Sequence, residues 1–276
     1  MEALGQIESW PAEHVAAGVT TADGVVAEAG SVTYRLGLGS VTKLLVAYAT
    51  LVAAEEGVLD LDEPAGPEGS TVRHLLAHAS GLAWDAPKPL SRPGERRVYS
   101  NSGFIALAAH VEARADMAFA DYLRAAVLEP LVLGATLEGD AAGGLVADLG
   151  DVLRFGRELL APTLIAPETL SEATTVQFPG LEGVLPGFGR QSPNDWGLGF
   201  ELRDGKSPHW TGSLNSARTF GHFGSKPGTA TFLWVDPDRG LACAAVADVS
   251  FGAWAAKAWP NLADAILSEG NRAAAG

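Results

Sequence analysis

Tyr34-Arg35-Leu36-Gly37-Leu38-Gly39-Ser40-Val41-Thr42-Lys43-Leu44-Leu45 is the stretch on which the fold and the chemistry of this chain turn. Glycines punctuate the approach to Ser40, Lys43 follows three residues later, and an apolar run continues from Leu44 to Ala54. A helix that begins near Ser40 carries positions i and i+3 on one face, one turn apart. The spacing therefore predicts a Ser40 hydroxyl within hydrogen-bond reach of the Lys43 amine. At a helix N-terminus, free N–H groups and the helix dipole also favour developing negative charge. A serine with a neighbouring base and an anion-stabilising field is placed as a nucleophile. On its own the pattern reads equally well as a serine N-cap with a solvated lysine one turn on, so the decision rests on the rest of the chain.

The 276 residues suit one large domain or two closely joined lobes. A net charge of −14 argues against nucleic acid and anionic membranes as partners. One cysteine, Cys243, rules out an internal disulfide, and its apolar surroundings mark a small core residue rather than a nucleophile. The longest apolar run is too short to span a bilayer. The first residues carry neither a basic region nor an apolar stretch of signal-peptide type, so the expectation is a cytoplasmic protein.

Asp23-Gly24 between two short apolar stretches, His14–Thr20 and Gly24–Ala29, signals a hairpin. The helix from Ser40 is expected to end near Gly57, and Thr71 to cap a short helix over Val72–His78. His74 and His78 in that helix have zinc-binding spacing without the accompanying glutamate, which favours structural hydrogen bonding over a metal site. Helical periodicity marks Phe104–Val111, Met117–Leu128 and Asp148–Leu160. From Gly197 the pattern changes to strands, expected over Leu198–Leu202, Ala217–His222, Thr229–Val235 and Leu241–Val249, with a closing helix over Trp254–Leu267. Strands at both ends can join one antiparallel sheet, with a helical middle and a ligand cleft between the two.

The Gly-x-Ser-x-Gly elbow of α/β-hydrolases is missing, since Leu38 and Thr42 occupy its glycine positions. The chain offers instead Ser40-Val-Thr-Lys43, Tyr99-Ser-Asn101 and His222-Phe-Gly224, in that order. Together they resemble the serine β-lactamase and penicillin-binding-protein superfamily, in its class C and family VIII carboxylesterase branch. Leu75-Leu-Ala-His-Ala-Ser-Gly-Leu82, Glu129-Pro-Leu131 with Thr136, Trp196-Gly-Leu-Gly-Phe200 and Pro227-Gly228 fit the same branch.

The resemblance implies an α/β (α+β) fold of β-lactamase/transpeptidase type, an antiparallel sheet flanked by terminal helices plus an all-helical lobe. Residues 1–57 and 190–276 would make the sheet lobe and 58–189 the helical lobe. It implies that Ser40 becomes acylated, Lys43 removes its proton, and Tyr99 shuttles that proton to the leaving group. Asn101 would orient Lys43 and bind substrate, His222 and Gly224 would line the cleft, and the N–H groups of Ser40 and Ser225 would form the oxyanion hole. No metal or organic cofactor is implied. The partner is a small ester or amide substrate.

His222 stands where most β-lactamases and peptidoglycan enzymes carry lysine, and Phe223 replaces a hydroxyl residue. A histidine is mostly neutral near pH 7, which favours neutral esters over β-lactams or peptidoglycan stems. Lys226 and Arg218 are the nearby cations that leave anion binding open. The chain is shorter than most of the branch, so an open cleft is expected, with Trp84, Trp196 and Trp210 as candidate walls. The leading expectation is a serine hydrolase acting on small carboxylic esters. The alternatives are a β-lactamase or D-aminopeptidase-type amidohydrolase, an acyltransferase, and a non-catalytic binding protein that keeps the fold.

Overall fold

The computed structural model describes residues 1–274, with side chains through Gly270. A 3-10 helix over Glu2–Ser9 leads into β1 (Val15–Thr20) and β2 (Val25–Gly30), the hairpin expected around Asp23-Gly24. After β3 (Leu36–Gly37), a 3-10 turn over Gly39–Val41 runs into α1 (Thr42–Glu55). The middle contains α2 (Val72–Leu76), α3 (Asn101–Ala115) and α4 (Phe119–Leu123), which passes into a π turn over Arg124–Leu128. The strands β4 (Thr136–Leu137) and β5 (Leu145–Ala147) follow, then α5 (Leu149–Leu160), α6 (Pro167–Ala173) and a hairpin of β6 (Gly183–Leu185) and β7 (Gly189–Gln191). The chain closes with β8 (Glu201–Leu202), β9 (Phe220–Lys226), β10 (Thr229–Asp236), β11 (Leu241–Ala247) and α7 (Ala253–Ala274).

The main sheet is antiparallel in the order β2-β1-β11-β10-β9-β8, so the first strands of the chain pair with the last, Val15 opposite Ala247 and Thr20 opposite Ala242. Its inner strands β1, β11 and β10 are apolar on both faces because both faces are covered, whereas the edge strand β2 is largely exposed. Alternate residues go to opposite sides, as the period of a strand requires. Phe232, Trp234 and Cys243 pack with Trp10 and Trp259 on the side of α7, whereas Leu233, Val235 and Ala242 pack with α5 on the other. Gly156 of α5 makes that second contact tight, since a Cβ there would lie 3.2 Å from the Ala242 Cβ. α5 therefore lies on the sheet, although it falls within the segment 58–189.

α1 is buried from Thr42 to Ala53 without a polar face, as expected for a helix that is apolar all round. It contacts α3, α4 and β9. A lysine in its first turn is thereby carried into the interior.

Several sequence boundaries shift. The strand expected over Ala217–His222 runs over Phe220–Lys226, so His222, Phe223, Gly224 and Ser225 all lie within it. Of Leu198–Leu202 only Glu201–Leu202 is strand, because Gly197–Phe200 makes a tight turn with Gly199 at φ +85°. The helix expected over Met117–Leu128 starts at Phe119 and ends in the π turn. The N-terminal 3-10 helix and α6 carried no recognised sequence signal.

Candidate active site

Ser40 sits in the middle of the 3-10 turn, a half-buried residue between β3 and α1. Two glycines allow this turn to press on β9. Gly39 has φ +53°, and a Cβ on it would stand 3.0 Å from the Ser225 backbone nitrogen. A Cβ on Gly224 would overlap the Leu38 carbonyl and the Thr231 hydroxyl, and Thr231 Oγ1 donates to that same carbonyl at 2.7 Å. The glycine of the third motif is thus a place where only bare backbone fits. The turn leaves the Ser40 N–H without an acceptor inside the helix, and the Ser225 backbone nitrogen on β9 lies beside the turn.

Lys43 is fully buried. Its Nζ lies 2.7 Å from Ala142 O, 2.8 Å from Asn101 Oδ1 and 3.2 Å from Ser40 Oγ. The Asn101 amide is fixed in this sense because its Nδ2 donates to Asp85 Oδ1 at 2.7 Å. Burial pulls the amine down to about 7, while the charges of Asp140 and Asp85 oppose the drop. A neutral amine has two hydrogens and one lone pair. The hydrogens match Ala142 O and Asn101 Oδ1, acceptors that can offer nothing else, so the lone pair is left for the Ser40 hydroxyl. The environment therefore weakens the Lys43 charge and keeps its amine in contact with Ser40.

Tyr99 is buried, hydrogen-bonded to Ser40, and lies 3.2 Å through its hydroxyl from His222 Nε2. The tautomer of His222 follows from its other nitrogen. Nδ1 is 2.7 Å from the Phe223 carbonyl and must carry the hydrogen, so Nε2 accepts from Tyr99. Burial and the nearby Lys43 push His222 down to about 3, which keeps it neutral. Burial pushes the Tyr99 phenol above its usual range. The phenol thus stays protonated at neutral pH with its hydrogen on His222, and the single Ser40 hydrogen has two acceptors in reach, Lys43 Nζ and the Tyr99 oxygen.

The structure brings together Ser40, Lys43, Tyr99, Asn101, His222, Gly224 and Ser225. Sequence reading missed the Ala142 carbonyl, which the β4–β5 loop delivers, and it missed Asp85 and Asp140 around the lysine. It also missed the support given by His78. That ring packs at a tilt against Tyr99 with centroids 4.4 Å apart, and its Nδ1 accepts from the Ser100 N–H at 3.1 Å. His78 Nε2 has no hydrogen-bond partner, and the ring packs perpendicular to Trp196 with centroids 4.6 Å apart. His74 bonds Thr71 Oγ1 instead and stacks on Phe178, so the two histidines serve separate structural contacts. Elsewhere Glu13, His14 and Asp248 cluster near the surface. The Asp248 carboxylate there is already occupied by the His14 ring and by the N–H groups of Glu13 and His14.

Two clefts open at Ser40. One, of about 230 Å³, has walls from Trp84, Tyr99, Leu185, Trp196, His222 and Phe251. The other, of about 260 Å³, is a polar shelf formed by Asn101, Gly139, Asp140, Gly143 and Lys226. Trp210, the third expected wall, is buried and donates to Glu201 Oε2 at 2.8 Å.

Among solved structures, a β-lactamase from Mycobacterium bovis is 50% identical, with a TM-score of 0.94 over 97% of this chain and 99% of that one. EstCE1, a hydrolase with promiscuous acyltransferase activity, shares the fold at 16% identity, with a TM-score of 0.76 over 96% of each chain. A curated relative, penicillin-binding protein 4* of Bacillus subtilis (strain 168), is 29% identical over 132 residues, which span 36% of this chain and 29% of that protein. No helix among the described residues is long and apolar enough to cross a membrane. The family model described as Beta-lactamase matches residues 15–267, and the chain belongs to this family of serine β-lactamases and penicillin-binding proteins, whose β-lactamase-fold members are hydrolases.

Proposed function

We propose that the protein is a serine hydrolase that cleaves small carboxylic esters through an acyl-enzyme at Ser40. The observation that carries this reading is the buried Lys43 amine, held 3.2 Å from Ser40 Oγ with two carbonyl-type oxygens as its other partners. Ser40 Oγ attacks the ester carbonyl as its proton passes to Lys43 Nζ. The Ser40 and Ser225 N–H groups receive the oxyanion. On collapse the bond to the alkoxy oxygen breaks, Tyr99 gives its proton to that oxygen, and the proton that Lys43 took from Ser40 passes back to the phenolate. Water then repeats the sequence on the acyl-enzyme and releases the acid.

Neutral His222 favours esters over carboxylate-bearing β-lactams, because it supplies no fixed positive charge at the third motif. Amide or β-lactam hydrolysis is the second reading, and the half-identical β-lactamase from Mycobacterium bovis favours it. Acyl transfer would use the same residues with another nucleophile in place of water. A binding protein that had lost catalysis would have no need of a depressed lysine held against a serine.

A serine-directed phosphonate tests the chemistry. Mass spectrometry is expected to find the adduct on Ser40, and Lys43→Ala to abolish it; a folded protein that takes no label supports the binding reading instead. Turnover of a short nitrophenyl ester is expected to exceed that of a chromogenic cephalosporin, and the reverse order would give the function to the β-lactam.

A further inference from the structure

The two clefts at Ser40 differ in chemistry, and the position of the proton donor orders them. A tetrahedral carbon on Ser40 Oγ has three other substituents: the oxyanion, the acyl chain and the leaving oxygen. The oxyanion is taken by the Ser40 and Ser225 N–H groups, and both residues border both clefts. One cleft therefore remains for each of the other two. The leaving oxygen has to collect a proton, and the hydroxyl that can supply it is that of Tyr99. Tyr99 and His222 line the aromatic cleft, whereas Asn101, the partner of Lys43, lines the polar shelf.

We propose, on the basis of the acyl-enzyme reading above, that the aromatic cleft takes the alcohol half of the ester and the shelf takes the acyl half. The substrate class is then an ester of an apolar, ring-bearing alcohol with a short, polar acyl group. Trp196 and Leu185 are buried behind the aromatic cleft, and the β6–β7 hairpin roofs it. A Cβ on Gly187 would come within 2.8 Å of Phe251 Cε1, so the hairpin already touches the far wall. An apolar ring leaves water there almost completely. On the shelf, Asp140 and Lys226 are exposed and the intervening backbone is glycine. Lys226 lies flat over Gly37, where a Cβ would stand 3.3 Å from its Nζ. An apolar acyl chain laid over these charges would desolvate them without compensation.

Benzyl acetate and methyl phenylacetate test the assignment, because they are isomers with leaving alcohols of similar acidity and differ only in which half carries the ring. Release of alcohol is followed by chromatography, with phosphonate labelling of Ser40 measured on the same preparation. Benzyl acetate is expected to have the higher kcat/KM, by roughly 10-fold or more. Phe251→Ala is expected to lower the ratio of benzyl acetate to ethyl acetate turnover by roughly 10-fold, chiefly through KM. Lys226→Glu is expected to penalise an ester whose acyl chain ends in a carboxylate and to leave the ratio for benzyl and ethyl acetate as it was. Failure of Ser40 to label would overturn the acyl-enzyme reading itself. Labelling with equal rates, with methyl phenylacetate preferred, or with neither ester cleaved overturns the cleft assignment alone.

Discussion

The protein buries two lysines beside histidines, and the two clusters behave as opposites. Lys206 is fully enclosed and paired with the buried Glu201 carboxylate, to which His209 Nε2 and Trp210 Nε1 also bond at 2.8 Å each. Burial alone would favour a neutral Glu201, but the charges of His209 and Lys206 outweigh it and hold the carboxyl at about 2. Burial also lowers Lys206, and the attraction of Glu201 works against that drop. The contact geometry and the low carboxyl both describe an ionised pair. Lys43 has no carboxylate in contact, only neutral oxygens, with Asp140 and Asp85 acting on it at longer range. Residue type and burial are shared; what separates the two lysines is whether a counter-charge touches them.

The largest expected effect divides the clusters by which property fails. Ser40→Ala and Lys43→Ala are each expected to cut kcat/KM on a short ester by roughly 10⁴-fold or more while the fold survives. Lys206→Met is expected to leave Glu201 buried without its main counter-charge, at a cost of about 3–5 kcal/mol in denaturant unfolding, while turnover persists below the melting transition. An inactive but fully stable Lys206→Met protein would erase the distinction.

The unequal legibility of the clusters has a physical cause. Ser40 lies in the 3-10 turn that runs straight into the helix of Lys43, so spacing alone predicted their contact, and the ordered Tyr99 and His222 motifs supplied the rest of the cleft. Glu201, Lys206 and His209 sit on a short strand and the irregular stretch after it, where no periodicity says which side chains turn inward. Arg97 lies in a proline-containing polar stretch, yet it is buried and donates to the carbonyls of Ala77, Gln177, Phe178 and Asn194. Such long-range backbone contacts leave no local pattern. The Ala142 carbonyl at Lys43 was invisible for the same reason, since any residue could supply it.

The next test concerns pH. Because Lys43 must be unprotonated to act, kcat/KM is expected to rise through about pH 7 and then level off. Stability carries the same signature with a fixed sign. The folded pKa lies below the unfolded value of 10.5, so between about 7 and 10.5 the unfolded chain binds the extra proton and stability rises with pH. Below about pH 7 both states are protonated and the full cost of burying the charge remains. Relative to Lys43→Met, the wild-type protein is expected to gain up to about 1.4 kcal/mol per pH unit across that window. Chemical denaturation at pH 7 and pH 9 checks it; a gap that does not change with pH would mean Lys43 keeps one protonation state throughout.

The smallest effect is the sharpest probe of action at a distance. Asp140 Oδ1 accepts the Ala142 N–H at 2.9 Å and Asp85 Oδ1 accepts from Asn101 Nδ2 at 2.7 Å. An asparagine at either position can keep its acceptor in place, so Asp140→Asn and Asp85→Asn remove charge with little change of contact. Both carboxylates oppose the fall of Lys43, Asp140 more than Asp85. Each substitution is therefore expected to move the acid limb of kcat/KM to lower pH, by a fraction of a unit, with the larger displacement for Asp140→Asn. The limb must be read at low ionic strength, because salt weakens an interaction across several ångströms of partly exposed space. Displacement to lower pH assigns the limb to a buried cation relieved of nearby negative charge. If the limb moves upward or stays still in both variants, the titrating group is not the amine beside Ser40, and the contrast with Lys206 no longer explains why that serine reacts.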